Sequence, residues 1–484
     1  MASLVATTTS GVLPALGVQE PDTMTPATLT AVQLKRQRRH AARKAAKQKR
    51  KQKTLARRAG QAAAARRRAA AQNLAKPVAA AAAKPAARYG SATCTLLDGP
   101  SNGAPLMGQD KWLGGVLGGD GDERCIYGVP GHAKTVLQVN VKTGAVSEIV
   151  PASGPLLGKY KWLRGVRAAN GAIYCLPSHA RSVLKIVPAT ATAPARVTTF
   201  GDLGDARWKW HGGAMGVDGC IYGVPCNATA VLKVDPATDT VSLLGGPLPG
   251  VNKWYGGIIG GDNCIYGIPQ CGDCVLKIDV AAQAVTTIGK LPAGGWKWHG
   301  GVAGLDGNVY GIPCNADAVL KIEVATGTVS LLGGGLRSGA HRDDGKYKYL
   351  GGCLAPATGA IYAFPSDADR VLKIDVAAQT VTTVGAPLVG GELRNKWQNG
   401  FLSSLDGKIY GIPLRHTAVV RIDPATDAVD TVGGPFPGWD KWEGGVVADD
   451  GAALYCIPLR AKRVLRIAGT PPPAEAPDDV VAEK

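Results

Sequence analysis

A segment of 44 to 51 residues recurs eight times along this chain of 484 residues. It reads roughly K-W-x-G-G-V, a D-G pair, I-Y-G-I-P, V-L-K-I-D, then T-V and a glycine. The copies begin at Trp112, Trp162, Trp210, Trp254, Trp298, Tyr349, Trp397 and Trp442. A β-rich unit of this length cannot bury both of its faces alone, so neighbouring copies must stack. A period in this range is the sequence signature of a propeller blade.

Each copy reads as four short strands. In the third, Gly212–Met215, Cys220–Pro225, Ala230–Asp235 and Thr240–Leu244 are runs of Val, Ile, Leu, Thr and Tyr, which suit a pleated, half-buried surface. Asn170-Gly171, Asp218-Gly219, Asp306-Gly307, Asp406-Gly407 and Asp450-Gly451 fall between strands one and two. There they supply the positive φ angles of a two-residue hairpin loop. Asp235-Pro236 and Asp423-Pro424 place proline where a type I turn accepts it.

The ends of the repeat array complement each other. The last copy stops at its third strand, Val464–Ile467, and turns Pro-rich, while Ala92–Leu97 is a spare strand resembling Thr240–Leu244. The expected fold is all-β: one eight-bladed propeller over residues 91–470, closed by its N-terminal strand, which removes the open edge of a linear array. The segments at Asp406–Pro413 (D-G-x-I-Y-G-I-P) and Val231–Thr238 (V-L-K-x-D-P-A-T) resemble the repeat superfamily that includes kelch, YVTN and PQQ-type units. The resemblance covers about residues 92–468 and implies the fold; on function it implies no more than binding.

Charge divides the chain. Of its 55 basic and 37 acidic residues, 19 and 2 lie in residues 1–90, which leaves 36 and 35 in the other 394. The repeat region is thus nearly neutral, and all but one unit of the net charge of +18 belongs to the N-terminal segment. Residues 1–30 form a low-complexity leader. Residues 31–90 form a basic Ala/Lys/Arg-rich tail and linker, expected to be disordered or partly helical because its helix formers lack an apolar stripe and its like charges repel. Residues 471–484 form a Pro- and acid-rich end expected to be disordered. The dense basic run over residues 35–68 suits a nuclear address or a nucleic-acid arm. The start MASLVATTTS equally suits a plastid or mitochondrial transit peptide, and a solvated extension without a specific role is a third reading. The nucleus is the favoured location, with an organelle as the alternative. Nothing reaches 18 consecutive apolar residues, so no transmembrane helix is expected.

Two repeat-wide columns share one face of the expected propeller, face A. The first is Lys111, Lys161, Lys209, Lys253, Lys297, Lys348, Lys396 and Lys441. It reads as a cationic ring at the channel mouth for a protein partner or anionic ligand. The same lysines could also lie along their tryptophans and pair with local acids. The second column, two residues after each I-P proline, is His132, His179, Asn227, Cys271, Asn315, Asp367, Arg415 and Arg460. Its diversity amid uniform strands marks a contact surface, with ordinary loop drift as the competing reading, and His211 and His299 fall beside it. The repeated Trp and Tyr residues are expected in the inter-blade cores.

The eleven cysteines, scattered along strands, suit buried free thiols in a reducing compartment. Cys271 and Cys274 form the one C-x-x-C and are a local disulfide or metal candidate, but a structural zinc site needs a second pair. No Walker loop, H-E-x-x-H or EF-hand loop occurs, so no cofactor is expected. The preferred expectation is a non-enzymatic interaction scaffold with a basic tail for targeting or nucleic-acid association. The alternative is a propeller enzyme (a lyase, hydrolase or oxidoreductase) with its site at the channel mouth, using His132, His179 and Asp367.

Overall fold

The structure is a computed structural model, and it describes residues 92–99, 105–336, 345–388 and 393–469. The chain divides into two units, residues 1–86 and 87–484, and all described residues lie in the second. The leader, the basic tail and the acidic end lie outside the described residues.

Those residues form eight four-stranded antiparallel sheets, seven of them built from consecutive strands. The eighth is completed by Thr93–Leu97, which pairs with Val464–Ala468 from Thr93 opposite Ala468 to Leu97 opposite Val464. The protein is therefore an eight-bladed β-propeller closed by its N-terminal strand. A strand from one chain end completes the sheet at the other, so no blade edge is left open there. No helix among the described residues is long and apolar enough to cross a membrane.

The turns between strands one and two differ from the two-residue loops expected. In the third blade Gly216 N–H donates to Cys220 O at 2.8 Å, which leaves three loop residues with Gly219 alone at positive φ, +80°. This is a type I turn followed by a left-handed glycine. The aspartate before that glycine anchors the turn to the second strand. Asp218 Oδ1 accepts from Cys220 N–H and Oδ2 from Tyr222 O–H at 2.7 Å. Asp262, Asp306 and Asp406 repeat the tyrosine bond.

Cores lie between blades rather than within them. The interface of blades one and two joins Tyr127, Val129 and Val136 to Trp162, Ile173 and Leu184. Seven tryptophans wedge into such interfaces, and each indole N–H donates to the carbonyl just before the third strand of its own blade, as Trp112 does to Thr135 O at 2.9 Å. A buried indole thus fills the apolar seam and satisfies its one polar atom.

The glycine pair that six of the eight copies carry near the start of the first strand is a packing requirement. Eight first strands converge on the channel, and a Cβ added to Gly212 would lie 2.7 Å from Gly256 Cα. Gly212 also has φ +83°, where side chains are disfavoured.

The eight-lysine column is buried, at 0–5% exposure. Each ammonium turns away from solvent and donates to main-chain carbonyls. Lys161 Nζ reaches Gly131 O at 2.7 Å, Ala133 O at 2.9 Å and Gly158 O at 3.1 Å. Gly158 precedes it in its own loop, whereas Gly131 and Ala133 belong to the preceding blade. Lys253 and Lys396 make the same three-carbonyl set, and Lys111 makes it across the ring closure with Leu459 and Ala461. The ammonium groups of Lys111, Lys253, Lys297, Lys396 and Lys441 also lie 5.7–6.0 Å from the ring centroid of the following tryptophan. The lysines therefore staple blade to blade, and their partners are carbonyls rather than acids. Burial pulls Lys161 down to about 8, so the ammonium is still charged at neutral pH.

Lys161→Met fills the same volume but takes the side-chain donor from Ala133 O and Gly158 O and leaves Gly131 O only the main-chain N–H of residue 161 at 3.2 Å. The expected loss is about 2 kcal/mol, read as a lower urea midpoint at unchanged slope.

Candidate functional site

Above the lysines, on face A, lies a crown made by two interleaved columns. One is the predicted column after the I-P proline. The other is the residue before each lysine: Asp110, Tyr160, Trp208, Asn252, Trp296, Tyr347, Asn395 and Asp440. All eight of the latter are left-handed, with φ between +47° and +55°. Within each blade the main chain links the columns, as in His132 N–H to Asp110 O and Asn315 N–H to Trp296 O.

Between blades, side chains link them in three ways: ring packing, side-chain oxygens that accept main-chain N–H groups, and ion pairs. His132 packs edge-on to Tyr160, ring centroids 4.3 Å apart, and His179 packs on Trp208 at 4.7 Å. Asn227 Oδ1 accepts from Asn252 N–H at 2.7 Å, Asn315 Oδ1 from Tyr347 N–H at 2.9 Å, and Asp367 Oδ1 from Asn395 N–H at 2.7 Å. Arg415 pairs with Asp440 at 2.8 Å, and Arg460 with Asp110 at 3.3 Å across the closure. Cys271 N–H makes the within-blade bond to Asn252 O. The diversity expected to mark a contact surface is thus matched between neighbours at seven of the eight steps. His132, His179 and Asp367 lie in separate pairings of it. Cys271 and Cys274 carry free thiols, and the described residues hold no group of three or more His, Cys, Asp or Glu placed to bind a metal.

Inside the crown, the first strands bring a second set of residues to the channel. The position after each tryptophan (Tyr349 in the sixth blade) holds Leu113, Leu163, His211, Tyr255, His299, Leu350, Gln398 and Glu443. The next position is glycine in six blades but Arg164 and Asn399 in the other two. Leu113 and Leu163 join Leu414 and Leu459 in an apolar cluster flanked by Tyr160 and Trp208. On the other side His211, Tyr255 and His299 form a row, with centroids 4.2 and 4.3 Å apart. A cavity of about 340 Å³ lies at the channel, lined by first-strand glycines with Arg164, Tyr255, Ile258, His299 and Asn399.

Arg164 projects into this cavity because its blade has arginine where six others have no side chain. Its guanidinium makes only long contacts: Nη1 to Leu113 O and Leu163 O at 3.3 Å, and Nη2 to Tyr255 Oη at 3.4 Å. No carboxylate lies within 4 Å of it among the described residues, although Glu443 is near enough to act on it electrostatically. Burial, reinforced by the Arg164 charge, drives His211 well below the ordinary imidazole value and His299 to about 4. Burial also raises the Tyr255 hydroxyl and the Glu443 carboxyl. At neutral pH the mouth therefore presents a fixed cation, two neutral imidazoles and a tyrosine hydroxyl. His299 Nδ1 is buried and has no hydrogen-bond partner among the described residues.

Sequence reasoning placed His211 and His299 near the rim but missed Arg164, Tyr255, Gln398, Asn399 and Glu443. The available signal was a break in the repeat: two adjacent columns in which some blades exchange Leu or Gly for polar and ionisable groups.

No protein-family model matches the chain, and no curated protein matches it. Solved structures do. Virginiamycin B lyase from Staphylococcus aureus aligns at 11% identity and TM-score 0.45, covering 78% of this chain and 99% of that one. A catalytically inactive form of that enzyme with quinupristin gives 0.48 at 11%, over 78% and 99%. Hydrazine synthase from Kuenenia stuttgartiensis gives 0.46 at 15%, over 75% and 96%. Likenesses this remote assign neither activity nor ligand, and the kelch, YVTN or PQQ resemblance of the repeats is matched by no family model.

The unfolded chain protonates these imidazoles as pH falls through 6.5, whereas folded His299 resists until about 4. The unfolded state then binds more protons, so stability is lost as pH drops from 6.5 toward 4. Urea unfolding at pH 7, 6 and 5 should show a shallower acid loss for His299→Gln than for the native chain.

Proposed function

We propose that this propeller is a binding protein that holds a small anionic ligand in the face A mouth of its channel, with Arg164 as the counter-charge. One observation carries the reading. Among the described residues, Arg164 is the only fixed cation in the two columns lining the channel, and its planar fork of donors makes only long contacts. An arginine in a cavity of restricted solvent access is suited to bidentate recognition of carboxylate or phosphate. Tyr255 and the neutral His299 supply hydrogen-bonding groups in the cavity wall, Asn399 adds an amide, and Ile258 adds an apolar side chain. The anion-binding face is the one expected from sequence, but the cation that meets the ligand is Arg164, because the lysine ring is occupied by carbonyls.

The full chain should be screened by thermal shift against a panel of mono- and dicarboxylates and inorganic phosphate. Binding should raise Tm, and Arg164→Met should weaken the bound anion by roughly 30-fold, the scale of a charge-assisted hydrogen bond. An anion that binds Arg164→Met as tightly as the native chain would overturn the assignment.

A catalytic reading draws on the same mouth. His299, held neutral and with Nδ1 unpartnered, has the features of a general base. Turnover of a bound anion that His299→Gln abolishes without loss of binding would establish it.

The basic tail adds a second proposal, supported by its charge: residues 35–68 associate with nucleic acid or direct the chain to the nucleus or an organelle. Deleting residues 1–90 should abolish retention on duplex DNA and its steep salt dependence. Equal retention with and without the tail would exclude the nucleic-acid role.

A further inference from the structure

Eight residues precede the crown lysines, and all eight adopt the left-handed backbone conformation. Four are Asp110, Asn252, Asn395 and Asp440, whose short polar side chains tolerate that conformation. The other four are Tyr160, Trp208, Trp296 and Tyr347, and a bulky aromatic is a poor choice there. Since Asx residues serve at equivalent positions in the same ring, the backbone itself does not call for aromatics. For Tyr160 and Trp208 the packing supplies a reason, because both rings lie against the leucine cluster. For Trp296 it does not. Its residue is 44% exposed with φ +51°, and its indole makes no hydrogen bond or ring contact among the described residues.

Tyr347, 36% exposed with φ +53°, stands at the next position of the ring. Asn315 bridges the two, donating its main-chain N–H to Trp296 O at 3.0 Å and accepting from Tyr347 N–H at its side-chain oxygen at 2.9 Å. A groove of about 520 Å³ runs beside them, and its lining includes Gly294, Gly295, Asn315, Asp317 and Lys346. Backbone strain tolerated where packing does not require it points to a functional use.

We propose that Trp296 and Tyr347 form a stacking platform for neutral saccharide rings, a site independent of Arg164. The class follows from the charge around the platform. Stacked nucleobases would bring phosphates that need a cationic track, but among the described residues the exposed lining of the groove sets one lysine, Lys346, against one aspartate, Asp317. Elsewhere on the crown, Arg415 and Arg460 are tied to Asp440 and Asp110, and the lysine ring is buried. Exposed aromatic faces beside amide and carboxylate groups match a ligand with an apolar C–H face and a rim of hydroxyls.

The test uses the full chain and neutral probes, so that polyanion binding by the basic tail does not contribute. Cello-, xylo-, manno-, malto- and chito-oligosaccharides are titrated calorimetrically against the native chain, Trp296→Asn and Tyr347→Asn. One series should bind the native chain, and each variant should weaken it by roughly tenfold or more. Trp296→Asn should melt at the native Tm or above, because asparagine relieves the left-handed strain. A lower Tm for Trp296→Asn would show the ring to be structural and overturn the proposal. So would the failure of every neutral series to bind, or binding that both variants leave unchanged.

Discussion

Each blade is held to the one before it by a charged ammonium buried among main-chain carbonyls. In water such a group would be fully hydrated, and burying it is costly unless its donors are met. Here the donors of Lys161 are met by one carbonyl of its own loop and two of the preceding blade. The group can be satisfied only when both loops are in register, so the lysine reports on the blade interface as well as stabilising it. Repeated around the ring, it makes closure a condition on every blade. The closing step obeys the same rule: Lys111 bonds Leu459 O and Ala461 O, 348 and 350 residues away in the chain.

The crown adds what identical staples cannot. Eight equivalent lysines would accept any neighbour, but ring-on-ring, amide and ion-pair contacts do not interchange freely. Arg460 facing Asp110 and Arg415 facing Asp440 suit those steps, and His132 against Tyr160 suits another. A matched contact at one step becomes a mismatch at most others, which favours one order of pairing over its alternatives. The two columns therefore separate stability, which is copied, from specificity, which varies.

The copying breaks at the channel mouth. Glycine at the channel lets eight backbones approach, and Gly212 and Gly256 show how little room is left. Arg164 and Asn399 depart from that requirement, and His211, Tyr255, His299 and Glu443 depart from the leucine of the neighbouring column. Seating a cation and several titratable groups in a confined mouth lowers the imidazoles and raises the carboxyl, a pattern common at binding and catalytic centres.

The sequence by itself determined the blade count, the four-strand unit, the closure by Ala92–Leu97 and the seating of the tryptophans. Those features depend on local periodicity and turn chemistry, which each copy repeats. Tertiary structure alone decided what the repeated columns do. The lysines looked like a surface ring because sequence records their charge but not the carbonyls that surround it, which come from another blade. The column from His132 to Arg460 looked like a contact surface because its partners, such as Tyr160 and Asp110, stand in a column that sequence reasoning did not connect to it. The link between Arg164 and Tyr255 spans 91 residues and crosses the channel. Local pattern carries information over a few residues, whereas the mouth is assembled from single residues a full blade or more apart, and only closure of the ring brings them together.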